Sequence, residues 1–255
     1  IMMKRFVFSI FLLPLLLASP QTKAQGIMLT PKWTAQAQFT GYYVADKLGF
    51  YKEEGIDVCV QHPAISESSF SFMEKGRAPV VIMNLSYAFM ERLAGARVVN
   101  VMQTSQENSL MLISHSPLKG EESLRNQKIA VWNHLSQKLL DRLAEHYALK
   151  QVEWIRFNSG VNVFLSGAAD PCLVGSYNEY LQLSEYGMNV DSIYSIRLAD
   201  YGYNLPEDGL YVTEEFYNQY PEVVRKLVKA SMRGWAWTNE HREEALDLSL
   251  IHISE

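Results

Sequence analysis

The chain has 255 residues, 48% of them hydrophobic, with 23 basic and 28 acidic side chains and a formal net charge of -5. That is the composition of an ordinary soluble globular protein, long enough for one large or two modest domains and apolar enough for a sizeable core. A net-negative surface with no basic cluster among aromatics repels phosphate backbones, which argues against nucleic acid as a partner.

At the N-terminus, Lys4 and Arg5 precede an apolar run over 6–18, and Thr22 and Ala24 place small residues where a signal peptidase reads. The pattern predicts an export leader over 1–24, cleaved after Ala24. The run is short for a membrane span, which needs roughly 20 residues, and no cysteine follows it to carry a lipid. Cleavage removes Lys4, Arg5 and Lys23 and no acids, leaving 20 basic against 28 acidic side chains, a net charge of -8. A soluble exported protein without a lipid anchor fits a periplasm.

Strand and helix signals then alternate. A strand is expected over 26–29, a helix over 40–48 stopped by the C-cap glycine Gly49, and a strand over 56–60. A short helix over 70–75 halts at Gly76, a buried strand follows over 79–83, and a helix over 86–93 ends at Gly95. Strands at 98–103, 110–114 and 129–132 lead to a helix over 135–147, a strand over 152–157 and a short helix over 161–165. A strand over 172–174, a helix over 177–185, a strand over 193–196 and helices over 214–220 and 221–237 complete the series.

This alternation predicts an α/β fold of parallel sheets packed by helices. It divides into a first lobe over 25–114, a second over 115–200 and a return to the first over 201–248. Crossovers near His115 and near Asp200 would form a hinge. Ligands of such sheets sit at the carboxyl ends of strands, where helix N-termini offer free amides, so a cleft that closes on a small molecule is expected between the lobes. A bridge between Cys59 and Cys172 would lock the lobes together, and two buried free thiols are expected instead. His62, His115, His134, His146, His241 and His252 show no metal-ligating spacing, and no cofactor motif is present.

Residues 36–58, QAQFTGYYVADKLGFYKEEGIDV, join an aromatic, amide-rich turn to an amphipathic helix and a strand. That order places Trp33, Gln36, Gln38, Tyr42 and Tyr43 near the mouth of the cleft. Trp33, Tyr42 and Tyr43 can stack on a planar ring; equally, one of the adjacent tyrosines packs in the core. Asn84 and Ser86 bracket a helix start after a buried strand, with Ser86 either an N-cap or a ligand contact. Trp132 and Asn133 occupy the matching strand end in the second lobe. Tyr177, Asn178 and Glu179 follow the strand over 172–174, where an acid at a helix N-terminus gains from the helix dipole. Glu179 is either only that or an acceptor for an amine and a ring N–H together.

The stretch over 36–58 resembles the opening unit of the NMT1/THI5-like branch of type II periplasmic binding proteins, and the likeness continues in order from Trp33 to Leu246. It implies two α/β lobes with a ligand cleft and two hinge crossovers. The function it implies is that of a monomeric substrate-binding protein of an ABC importer, served by a permease and its ATPase and meeting the membrane only through that permease. The segment VGSYNEY, 174–180, is similar to the tyrosine and glutamate junction of binders of aminopyrimidine thiamine precursors, which implies that class of ligand. Its Tyr-Asn-Glu is shorter than the family's usual run before the glutamate. The segment 198–217 is similar to the family's return into the first lobe, which implies that Tyr201 reaches the ligand from the hinge and that Glu207 and Asp208 are turn and capping groups.

Eukaryotic relatives of this fold are enzymes that make the thiamine pyrimidine, but the positions matching their lysine and histidine are Met83 and Tyr87, and their cysteine-rich run falls on 206–210. No catalysis is expected. Two competing readings are a sulfonate, taurine or nitrate binder relying on helix amides with Arg156 or Arg197, and the sensor domain of a membrane-bound receptor. Flavin-like ligands share the stacking argument. Residues 249–255, SLIHISE, depart from the family and resemble adapter read-through, so a non-native tail is expected there. Relatives carry further helices past Leu246, which implies uncovered faces at Leu227, Val228 and Trp235.

Overall fold

The computed structural model describes residues 26–64, 66–118, 124, 127–132, 140–141, 144–145, 151–158 and 160–254. The expected leader, most of the helix expected over 135–147, Asn133, His134 and His146 lie outside the described residues.

The first lobe begins with β1 (Ile27–Thr30), α1 (Thr40–Lys47), α2 (Phe50–Glu53) and β2 (Val58–Val60). It continues through α3 (Ser69–Glu74), β3 (Val80–Asn84), α4 (Leu85–Leu93) and β4 (Val98–Gln103). Gly49, at φ 77°, reverses the chain between α1 and α2 in a conformation open to glycine at no steric cost. The second lobe holds β5 (Leu110–Ser114), β6 (Lys128–Trp132), β7 (Glu153–Phe157), α5 (Asn162–Leu165), β8 (Cys172–Gly175), α6 (Glu179–Glu185) and β9 (Tyr194–Arg197). The chain then returns as β10 (Asp208–Thr213), α7 (Glu214–Gln219), α8 (Pro221–Glu240) and α9 (Arg242–Ser254).

The sheets run β2-β1-β3-β10-β4 and β7-β6-β8-β5-β9. They are mixed rather than parallel: β10 is antiparallel to both β3 and β4, and β5 to both β8 and β9. The first crossover therefore lies over 104–109, before β5, and not near His115. The run LMLIS in β5 is largely buried on both faces, as a strand flanked on both sides should be.

Alternation along β3 builds the first lobe's core on both faces. Val80 and Ile82 join the cluster under α1 and α8, whereas Val81 and Met83 join the one under α3 and α4. Helices α1 and α8 cross at Gly41 and Gly234, where a Cβ on Gly234 would stand 2.1 Å from the Gly41 carbonyl oxygen and one on Gly41 would stand 2.3 Å from the Trp235 ring. Nearby, the Tyr51 hydroxyl meets Ser231 Oγ at 3.0 Å in the buried seam. Leu227, expected to be partly uncovered, is fully buried because this face of α8 lies on the core of the lobe; Val228 and Trp235 are half-buried. Across the expected tail, α9 continues to Ser254 with Ser249 buried. Cys172 is buried, but Cys59 is exposed, since its side chain faces outward on the edge strand β2; both thiols are free.

The glycine contact leaves no room for a methyl group. Gly234→Ala should destabilise the protein by about 1–3 kcal/mol, the usual cost of overpacking, seen as a lower urea midpoint at unchanged m-value.

Candidate functional site

Three strand ends of lobe 1 meet at one lysine. Lys32, just past β1, donates from Nζ to Asn84 Oδ1 at the end of β3 (2.8 Å) and is ion-paired with Asp208 at the start of β10. Asp208 is buried, 8% exposed. It is thus a strand residue paired across the sheet, not the turn or capping group expected, because β10 begins with it. Beside it, Glu207 ties the two crossovers together: its Oε1 accepts from Ser109 N and Oγ, each at 3.0 Å, and its Oε2 accepts from Ser109 Oγ at 3.0 Å. Burial raises the Glu207 carboxyl above its ordinary value, against the opposing pull of Lys32 and Ser109.

On the lobe 2 side, Trp132 ends β6 and Glu179 opens α6 after β8. The indole Nε1 donates to Glu179 Oε1 (3.0 Å) and the Gly175 amide to Oε2 (3.1 Å), leaving Glu179 only 6% exposed. The carboxylate curls back over Gly175, where the absent Cβ makes room: one placed there would lie 3.2 Å from Oε2. Glu179 therefore orders the junction and holds Trp132. Tyr177, in the loop before α6, is 45% exposed. Its hydroxyl is pushed up by burial and then by Glu207, Asp208 and Glu179, with Ser109 hydrogen bonding in the opposite sense. The hydroxyl of an exposed aromatic of lobe 2 thus lies within electrostatic reach of carboxylates from both sides of the hinge.

The remaining candidates divide by position. Tyr42 is buried, but its hydroxyl meets Thr104 Oγ1 at 3.0 Å. It borders a cavity of about 230 Å³ formed by Gln38 and Tyr42 of the α1 end, Thr104 and Ser105 after β4, Asp208, and Trp235 and Asn239 of α8. Tyr43 points the other way, fully buried, its hydroxyl 3.3 Å from the donating Gln36 amide and 2.8 Å from His62 Nε2. Trp33 is half-buried against the same core, and Ser86 sits inside the first turn of α4, one residue past the first. Asn178 occupies the N-cap position of α6 without a side-chain capping bond, its Oδ1 accepting from Gln182 instead (2.9 Å), while Tyr201 is 49% exposed at the end of the 3-10 turn Leu198–Tyr201.

The sequence reading missed Lys32, Thr104, Ser105, Ser109 and Asn239, and misassigned Glu207 and Asp208. One signal was available: in EDGLYV, two acids directly head an apolar strand, and a carboxylate there must be paired when the strand is buried.

Residues 36–245 match the model of the family described as NMT1/THI5 like. The chain belongs to the NMT1/THI5-like family. Among curated relatives, this family member is 30% identical over 247 residues to the riboflavin-binding protein RibY of Chloroflexus aurantiacus, covering 92% of the chain and 68% of RibY. It is 24% identical over 271 residues to the formylaminopyrimidine-binding protein of Halalkalibacterium halodurans, covering 99% of the chain and 81% of that protein. It is also 22% identical over 212 residues to THI13 of Saccharomyces cerevisiae, named a 4-amino-5-hydroxymethyl-2-methylpyrimidine phosphate synthase, covering 78% of the chain and 62% of THI13. Binding proteins and synthases thus both occur among the relatives. The NMT1/THI5-like chain superposes on the periplasmic aliphatic sulphonate binding protein SsuA of Escherichia coli with a TM-score of 0.69 at 14% identity, covering 88% of the chain and 77% of SsuA. The fold is that of periplasmic binding proteins. Among the described residues no helix is long and apolar enough to cross a membrane.

Two outcomes follow from the carboxylates. Trp132→Phe removes one donor from a buried carboxylate and should cost about 1–3 kcal/mol of stability, measured by urea unfolding. Glu207 binds its proton more readily folded than unfolded, so the stability this proton contributes is complete below the ordinary 4.5 and is lost as pH rises through the folded value. The melting temperature of the wild type relative to Glu207→Gln should therefore rise as pH falls from 7 toward 4.5.

Proposed function

We propose that the protein is an extracytoplasmic solute-binding protein of an ABC importer, closing on a small heteroaromatic molecule and delivering it to a permease and its ATPase. The observation that carries the reading is Tyr177, an exposed ring in the loop that opens α6, whose hydroxyl feels the carboxylates of Glu207 and Asp208. An aromatic face holds a flat π system, and carboxylate oxygens near it can accept from ring N–H and amine donors even with Asp208 paired to Lys32. The named ligands of RibY and of the formylaminopyrimidine-binding protein are heteroaromatic, which supports the same class.

The sulfonate reading has less support. SsuA resembles the chain in fold at low identity, and Lys32 already serves Asp208 and Asn84. Of the arginines considered for an oxyanion, Arg156 is exposed on β7 and Arg197 pairs with Glu107 at 3.3 Å. A synthase reading finds Met83 fully buried within β3 and Tyr87 on α4, with no reactive group at either position.

A thermal-shift screen against formylaminopyrimidine, riboflavin, taurine, an alkanesulfonate and nitrate tests the proposal, because a ligand of the native state raises the melting temperature by mass action. A heteroaromatic should produce the shift, and Tyr177→Ala should weaken its binding roughly tenfold, about the 1.4 kcal/mol expected for a stacked ring. A shift with sulfonate or nitrate alone overturns it.

A further inference from the structure

The cavity beside Tyr42 lies at the strand ends of lobe 1, and Tyr177 is not among the residues that line it. Asp208 borders the cavity and also acts electrostatically on the Tyr177 hydroxyl. At about 230 Å³ the cavity is smaller than the roughly 300–1,000 Å³ of a complete small-molecule site, and far larger than the roughly 30 Å³ share of one water. It has the size of a pocket for one substituent of a larger ligand.

Its lining sets the rings of Tyr42 and Trp235 beside a group of polar side chains, which suits a chain of carbons bearing hydroxyls. Gln38 Oε1 is buried and has no hydrogen-bond partner among the described residues, a vacancy that ordinarily costs stability unless something donates to it. The Asp208 carboxylate, 8% exposed, is balanced by Lys32, so this wall is a neutral pair with spare oxygen lone pairs. Thr104 and Ser105 add hydroxyls and Asn239 an amide, groups that both donate and accept. Neutral hydroxyl groups match such a set. A second ring would leave these acceptors unmet, and a cationic arm would compete with Lys32 for Asp208.

Building on the heteroaromatic reading above, we infer that the ligand is bipartite: a flat ring lies in the cleft under Tyr177, and a hydroxylated arm passes Asp208 into the lobe 1 pocket. The ring selects the class and the arm selects the member. Gln38, Ser105 and Asn239 are then specificity-determining residues, and aminopyrimidines with short substituents leave the pocket to water.

The probes are riboflavin, which carries a ribityl arm, and lumiflavin, which has the same tricyclic ring with a methyl group in its place. Binding to the exported chain is followed by quenching of flavin fluorescence and by calorimetry. Riboflavin should bind at least tenfold more tightly than lumiflavin, and Asn239→Leu and Ser105→Ala should each bring that ratio toward one. Thermal melts establish that the variants fold, and either variant alone suffices. Equal affinity for the two flavins, or a ratio untouched by both variants, overturns the arm pocket while leaving the heteroaromatic cleft standing. Tight binding of formylaminopyrimidine with no binding of riboflavin does the same. Binding of sulfonate or nitrate alone removes the cleft reading and the arm pocket together.

Discussion

Everything in lobe 1 waits on β10. The strand arrives after the whole of lobe 2 and inserts antiparallel between β3 and β4, so that the two strands framing it are otherwise unpaired on their facing edges. Unpaired strand edges carry rows of unmet backbone donors and acceptors, and β10 satisfies both at once. Its insertion forces the chain to cross between lobes twice and brings Glu207 and Asp208 to the point where those crossings meet. The same strand that completes a core therefore supplies the charge of the candidate site.

The helices that follow hold this arrangement in place. Because Gly41 and Gly234 lack side chains, α8 seats directly against α1, and Tyr42 and Trp235 meet edge to face with ring centroids 5.7 Å apart. That contact fixes both the floor of the lobe 1 cavity and the distance of α1 from the sheet. Lys32 then draws the ends of β1, β3 and β10 together through one ammonium group. Across the hinge, Glu179 performs the equivalent task for lobe 2 by gripping Trp132 and Gly175. Buried charges in both lobes are met by specific donors, as the cost of leaving them unpaired requires.

Local pattern carried much of this. The β5 run and the apolar stretch before Asn84 were legible as strands because burial on both faces leaves few polar residues in them, and Gly49, Gly76 and Gly95 marked helix ends through their positive φ. Strand direction was not legible, since an apolar run reads alike in parallel and antiparallel pairing. The position of β10 depends on contacts with strands more than a hundred residues earlier, which no local window contains. Tyr42 and Tyr43 show a similar limit. Both are buried because α1 is covered by the sheet on one side and by α8 and α9 on others, so amphipathic spacing alone did not say which ring stays near the cleft. Glu179 was found by its place at a strand end, but its direction was set by the space above Gly175, a three-dimensional fact.

One inconspicuous feature makes the molecule easy to watch. Cys59 is exposed on the outermost strand of lobe 1, whereas Cys172 is 1% exposed in lobe 2 with its thiol pushed up to about 12 by burial. A thiolate is the species that reacts with alkylating dyes, so a maleimide reagent at neutral pH has one address, on one lobe. The sequence thus offers one dye site on lobe 1, and a single cysteine added to the surface of lobe 2 would turn the pair into a gauge of how far apart the two halves stand.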